Sequence, residues 1–325
     1  MSELKDEGIQ LLSLYRQMYR IRQAEKMLSQ MFSNGEIPGF IHLSVGQEAV
    51  AAGVGAVLDP EDSIAATHRG HGHALAKGIP LDLFFLELAG KAEGICKGRG
   101  GSMHVADMSV GMLGANGIVG AGLPLALGSA MAHQHKNNGQ VAVANFGDGA
   151  MAEGVLHECL NLAALWQLPI LFLCENNGWS EFSPTSSQFN APILKLGEAF
   201  DIAGETVDGN DVQAVYAAAD SLVEQIKSGK GPRILECMTT RIHGHFEGDP
   251  QKYRDPDELA SLSEKDALER AKKRLLTLGI SRDAIEKTEQ DIDGDIEEAV
   301  AIARAGSLAD FEATRADVYT QVEVA

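Results

Sequence analysis

The stretch "VAVANFGDGAMAEGVLHECLNLAALWQLPILFLCENNGW" (Val141–Trp179) places two short apolar runs, 140–146 and 168–176, around a helical pattern over 150–167. A strand, a helix and a strand in that order form a βαβ unit, whose two strands lie parallel in one sheet. Asp148 and Asn177 then each fall just beyond the carboxyl end of a strand, the edge at which open α/β sheets bind ligands. Neighbouring strands are only ~4.8 Å apart. A carboxylate, an amide oxygen and a backbone carbonyl brought together there suit a hard cation such as magnesium or calcium. Gly147 and Gly149 flank the aspartate and allow a sharp turn and a close backbone approach to a ligand. The N–H groups opening the next helix favour phosphate. Taken alone, "GDG" also fits an ordinary helix cap at Asp148; the Asn pair at the end of the following strand favours a metal-bridged diphosphate.

Outward from this unit, "PRILECMT" (232–239) reads as a further strand, and residues 45–240 alternate between helix-length and strand-length segments. The pattern predicts an α/β fold with a mostly parallel sheet and helices on both faces. Residues 1–45 read as an N-terminal helical arm and 255–325 as charged C-terminal helices, the whole forming a single domain over 1–325. "SEKDALERAKKRLLTLG" and "SRDAIEKTEQDIDGDIEEAVAIARAG" each open on a serine suited to capping. "DIDGDIEE" has its glycine at the fourth position and not the sixth, so its acids read as helix N-terminal residues and not as a calcium loop.

The chain of 325 residues carries 46 acidic against 27 basic residues, a formal charge of −19. That balance disfavours nucleic acid and anionic membranes as partners and means that an anionic ligand needs local help from arginine, metal or backbone N–H groups. The cysteines Cys96, Cys159, Cys174 and Cys237 are scattered without a CxxC, the usage of reduced thiols in a cytosolic protein. The opening residues have neither a secretory apolar core nor transit-peptide character, and no apolar run approaches the ~20 residues of a membrane span. The expected location is cytoplasmic.

"HLSVGQEAVAAG", "KGRGGSMH", "GANGIVGAGLPLALG", "GDGAMAEG", "NLAALWQLPILFLCENN" and "HGH…GDP" occur in one order over about residues 10–255. In that order they resemble the α subunit of the thiamine-diphosphate-dependent 2-oxo acid dehydrogenases, the first component of the pyruvate, acetoin and branched-chain complexes. The resemblance implies a thiamine-diphosphate-binding fold with Mg2+ held by Asp148, Asn177 and the carbonyl of Trp179. It implies that Arg69 and His68 hold the diphosphate beside Gly149 and Ala150, that Gly117 and Val119 contact the aminopyrimidine, and that His243 and His42 serve catalysis, His243 also binding the diphosphate. Implied partners are a β subunit, in a heterotetramer of two α and two β chains, and a lipoyl-bearing transacylase. The implied substrate is pyruvate or acetoin, with a branched-chain 2-oxo acid as the alternative. Glu181 stands where the family has an apolar residue against the cofactor, and Phe246 where mitochondrial relatives carry a phosphorylated serine.

Competing readings rest on less. "HRGHGH" offers His68, His71 and His73 as metal ligands but no further ligand type nearby. "GIVGAG" lacks the preceding strand and the downstream acid of a dinucleotide site, which disfavours a nicotinamide-dependent oxidoreductase.

Overall fold

The computed structural model describes residues 2–318. Its strands are β1 (Ser63–Ala65), β2 (Met112–Gly114), β3 (Ala142–Gly147), β4 (Ile170–Asn176), β5 (Trp179–Ser180), β6 (Ser183–Pro184), β7 (Gly204–Asp208) and β8 (Arg233–Met238). Six of them form one sheet in the order β2-β1-β3-β4-β8-β7, every pair parallel. β5 and β6 form a separate antiparallel hairpin.

The helices are α1 (Ser2–Ser33), α2 (Glu48–Gly55), α3 (His71–Ala76), α4 (Leu81–Leu88), α5 (Gly122–Lys136), α6 (Gly154–Trp166), α7 (Ile193–Glu198), α8 (Val212–Lys227), α9 (Pro256–Ser261), α10 (Ala267–Thr277), α11 (Arg282–Ala305) and α12 (Phe311–Ala316). Alternate residues of the central strands point to opposite faces. Val143, Leu171, Leu173 and Leu235 pack with residues of α1, α2 and α8, whereas Ala142, Ala144, Phe146, Phe172 and Cys174 pack with residues of α5, α6 and α7. Both faces of the sheet are covered, which is why the strands read as continuous apolar runs.

The helix of residues 2–33 is a core element. Leu11, Leu14, Tyr15, Met18, Ile21, Leu28 and Met31 are buried at the 3–4-residue spacing of one helix face. Its Arg22 is also buried and pairs with Glu48 of α2 and, at 2.8 Å, with Asp266 at the start of α10.

Two local expectations are corrected. α10 is capped by Asp266, which accepts from Leu268 N at 2.9 Å, and not by Ser263; an aspartate at the N-cap satisfies the same orphan N–H groups. The acids of "DIDGDIEE" lie inside α11 and not at its N-terminus; Ser281 caps that helix through Ala284 N at 3.2 Å. The expected C-terminal helical range extends into 319–325, which lies outside the described residues. Cys159, Cys174 and Cys237 are buried, Cys96 is half-buried, and all are free thiols. Among the described residues no helix is long and apolar enough to cross a membrane.

Candidate functional site

β1 and β4 flank β3, so the segments leaving these strands meet at one edge. β1 runs into Thr67, His68 and Arg69; β3 into Asp148; β4 into Asn177; β8 into Arg241 and His245. Together with Met103 and the 116–120 segment they enclose a cavity of ≈ 240 Å3.

The turn after β3 is a 3-10 turn, Asp148–Ala152, and α6 begins only at Gly154. The expected helix start at 150 is thereby moved, and Asp148 caps no helix. Gly147 has φ −88° and open surroundings, so the turn does not require glycine there. Gly149 is required by space, because a Cβ would meet Ser180 Oγ at 2.7 Å and Ser180 Cβ at 3.1 Å. The β5–β6 hairpin can therefore close over the aspartate.

Asp148 is 2% exposed. The Thr185 hydroxyl donates to its Oδ2, and burial pushes its carboxyl above the usual range. Asn177 is fixed at both ends of its amide: Oδ1 accepts from Trp179 N at 3.0 Å, and Nδ2 donates to Gln47 Oε1 at 3.1 Å. Gln47 Nε2 donates in turn to Glu175 Oε2 at 3.1 Å, and Glu175 Oε1 meets His73 Nε2 at 2.8 Å. Gly178, with φ +79°, lets the chain reverse between Asn177 and Trp179. The Trp179 indole donates outward to Glu258 of α9 at 3.0 Å.

Two buried guanidiniums, Arg69 and Arg241, stand in the cavity beside the carboxylates of Asp148, Glu175 and Glu181. Arg69 donates to the carbonyls of Leu43 and, at 3.0 Å, His245; burial, and then the charge of Arg241, lower its pKa to about 10. Arg241, 1% exposed, donates to the Glu181 carbonyl at 3.2 Å and the Tyr253 hydroxyl at 2.9 Å. Glu181 adopts φ +54°, unusual for a non-glycine residue.

His42, His68 and His245 stack edge-on with ring centroids 4.6, 5.0 and 5.4 Å apart. Burial, followed by the Arg69 charge, lowers His42 to about 3 and His245 to about 4, and holds His68 well below its ordinary value. These rings are neutral at physiological pH. Their nitrogens lie within 4.8 Å of one another, with the Arg69 charge close enough to lower the pKa of all three. The other candidate trio does not assemble: His71 pairs with Glu25 and Ser102, and His73 pairs with Glu175.

Of the residues singled out from the sequence, His42, His68, Arg69, Gly117, Val119, Asp148, Gly149, Ala150, Asn177 and Trp179 line the cavity. His243 does not. Its ring lies 3.5 Å from Glu247 with 40% of the side chain exposed, and the cavity-facing histidine of "HGH" is His245. The loop itself makes the choice: a Cβ on Gly244 would meet Asp249 Cβ at 2.5 Å, and Asp249 accepts from His245 N at 2.7 Å and from the Tyr253 hydroxyl at 2.6 Å. That tight turn is invisible in a run of alternating His and Gly. Sequence reasoning also passed over Arg241, Gln47, Glu175 and Asn145. For Asn145 and Glu175 a signal existed, since each interrupts an otherwise apolar strand.

Four buried side-chain polar atoms have no hydrogen-bond partner among the described residues: His42 Nδ1, Asn145 Nδ2 and Oδ1, and Arg241 Nε. All belong to residues lining this cavity.

The family model described as "Dehydrogenase E1 component" matches residues 16–311. The chain is 46% identical over 330 residues to the α subunit of acetoin:2,6-dichlorophenolindophenol oxidoreductase of Bacillus subtilis, covering 99% of each. It is 42% identical to the subunit of the same name from Cupriavidus necator, over 95% of this chain and 94% of that one. It is 40% identical to the pyruvate dehydrogenase E1 component subunit alpha of Zymomonas mobilis, over 97% and 89%. The chain belongs to the dehydrogenase E1 component family, as an α-type subunit of these oxidoreductases.

Proposed function

We propose that the cavity holds thiamine diphosphate with Mg2+ and that the chain, with a β subunit, cleaves acetoin: acetaldehyde leaves, and the remaining two-carbon unit is oxidised to an acetyl group as the disulfide of a lipoyl group on a transacylase is reduced and takes it up. The observation that carries this reading is that buried Asp148 and half-buried Asn177, at adjacent strand ends, line one cavity together with Arg69 and Arg241. The donor set fits: a carboxylate and an amide oxygen suit a hard cation, planar guanidiniums suit phosphate oxygens, and the unpartnered Arg241 Nε and Asn145 amide suit a polar ligand.

When bound, thiamine diphosphate supplies the electron sink for cleaving the bond beside a carbonyl. The chain's own residues do the rest. Asp148, Asn177 and the Trp179 carbonyl would hold the metal, with Thr185 and Gln47 fixing the side chains that bind it. Arg69 and Arg241 would neutralise the diphosphate. His42, His68 and His245, kept neutral, would present N–H groups and lone pairs toward the substrate without adding charge.

Acetoin is favoured by the two relatives at 46% and 42% identity, whose names carry it; pyruvate is the second reading, favoured by the relative at 40%. A β partner is supported by apolar side chains left exposed near the cavity mouth and along α5 and α6: Ile118 at 72%, Val119 at 49%, Leu125 at 50% and Leu165 at 69%. Large apolar side chains left open to water in this number support a partner surface. The test is reconstitution with the β chain and comparison of kcat/KM on acetoin and pyruvate in one dye-reduction assay. Acetoin is expected to lead by at least ~10-fold, and equal or reversed values would replace acetoin with pyruvate. Full turnover by this chain alone would remove the β subunit from the account.

A further inference from the structure

Asn145 lies in the middle of β3, between Ala144 and Phe146, which both face the α5–α6 side. Its own side chain points to the opposite face and lines the cavity, as do Gln47, Glu175, Asp148 and Arg69. The residue is 2% exposed, and neither its amide nitrogen nor its amide oxygen has a partner among the described residues. Three polar side chains of the same cavity are committed to one another or to nearby groups: Glu175 to Gln47 and His73, Gln47 to Asn177, and Asp148 to Thr185. A buried amide with nothing to bond destabilises a fold, whereas an apolar residue of similar shape would not. An apolar residue is also what the strand otherwise uses at Val141, Val143 and Phe146.

We infer that Asn145 is a ligand-binding residue whose amide N–H2 donates to an oxygen of the diphosphate. This rests on the thiamine diphosphate reading of the site. Asn145 approaches from beneath, on the strand that carries Asp148, while Arg69 and Arg241 approach from loops beyond the strand ends. The site thus combines charged donors carried on loops with one neutral donor built into the sheet, and the latter is paired only when the ligand is present.

The two roles open to a buried amide leave different signatures. A purely structural asparagine loses apo stability when replaced and leaves ligand affinity unchanged. A ligand-binding one loses affinity while the apo protein is unharmed, because the replacement removes an unsatisfied group. The experiment compares wild type with Asn145→Leu, both as the α–β complex freed of cofactor, by calorimetric titration with thiamine diphosphate in excess Mg2+ and by thermal unfolding without ligand. The expected result is affinity weakened about 10–100-fold, the value of a hydrogen bond to a charged group, with apo melting unchanged or higher. Unchanged affinity, as for an amide that holds only a structural water, would overturn the inference, as would an affinity loss accompanied by lower apo stability. If Asn145→Leu does not fold, Asn145→Ala carries the same comparison. Absence of thiamine diphosphate binding by wild type would remove the reading of the whole site, whereas binding by wild type with no change in the variant removes only the role of Asn145.

Discussion

Asn177 Nδ2 donates to Gln47 Oε1 at 3.1 Å, and this contact sets which way the amide of the proposed metal ligand faces. With the nitrogen turned to Gln47, the oxygen lies on the side of the Trp179 backbone, where its N–H is 3.0 Å away. Gln47 is itself held by Glu175, and Glu175 by His73. The order seen at Asn177 therefore begins at His73 on α3, three links away in the network. Partners that orient a metal ligand typically contribute 10–100-fold to metal affinity. Gln47→Ala should weaken Mg2+ binding by about that factor with little change in melting temperature, as read by a Mg2+ titration at saturating thiamine diphosphate. Wild-type affinity in the variant would make Gln47 a packing residue.

The histidine cluster gives a dependence on pH. His42 and His245 titrate near 3 and near 4 in the fold against about 6.5 in the unfolded chain. As pH falls below about 6.5, the unfolded state takes up protons that the folded state refuses, so stability declines from there down to about pH 4 for His245 and about pH 3 for His42. Above about 6.5 both states are neutral and the two rings contribute no slope. Urea midpoints measured at pH 7 and pH 5 should converge in His42→Phe relative to wild type. An equal drop in both proteins would mean that His42 is protonated in the fold.

Arg22 ties α1 to α2 and α10 through Glu48 and Asp266. Glu48 is 0% exposed, so removing the guanidinium strands a carboxylate in the core. Arg22→Ala should lower unfolding free energy by about 3–5 kcal/mol, checked by urea denaturation of the apo protein. A cost under about 1 kcal/mol, typical of a surface pair, would show that water reaches Glu48.

Much of this molecule is legible in its sequence. The β3–α6–β4 unit is readable because parallel strands covered on both faces must be apolar throughout, and the connecting helix is long enough to be unambiguous. Asp148 and Asn177 are readable because strand ends lie at one sheet edge whatever the rest of the fold. The "HGH" segment is not. It is a loop, where no period tells one histidine from the next, and the choice of His245 over His243 follows from a contact between Gly244 and Asp249. The packing partners of α1 are also not legible. Its apolar stripe is visible, but an amphipathic helix carries no sign of what covers it, and the partners of Arg22 and Glu25 lie 26 and 19 residues away or farther. Gln47 and Glu175 meet across 128 residues of chain, a separation that composition and spacing cannot bridge.

The central claim is that Asp148 and Asn177 hold a cation that bridges the chain to a diphosphate. Calorimetric titration of the α–β complex with thiamine diphosphate, with and without Mg2+, on wild type and Asp148→Ala tests it most directly. Wild type should bind in a Mg2+-dependent manner, and Asp148→Ala should lose that dependence together with most of the affinity. Undiminished, Mg2+-dependent binding by Asp148→Ala would contradict the assignment of the site.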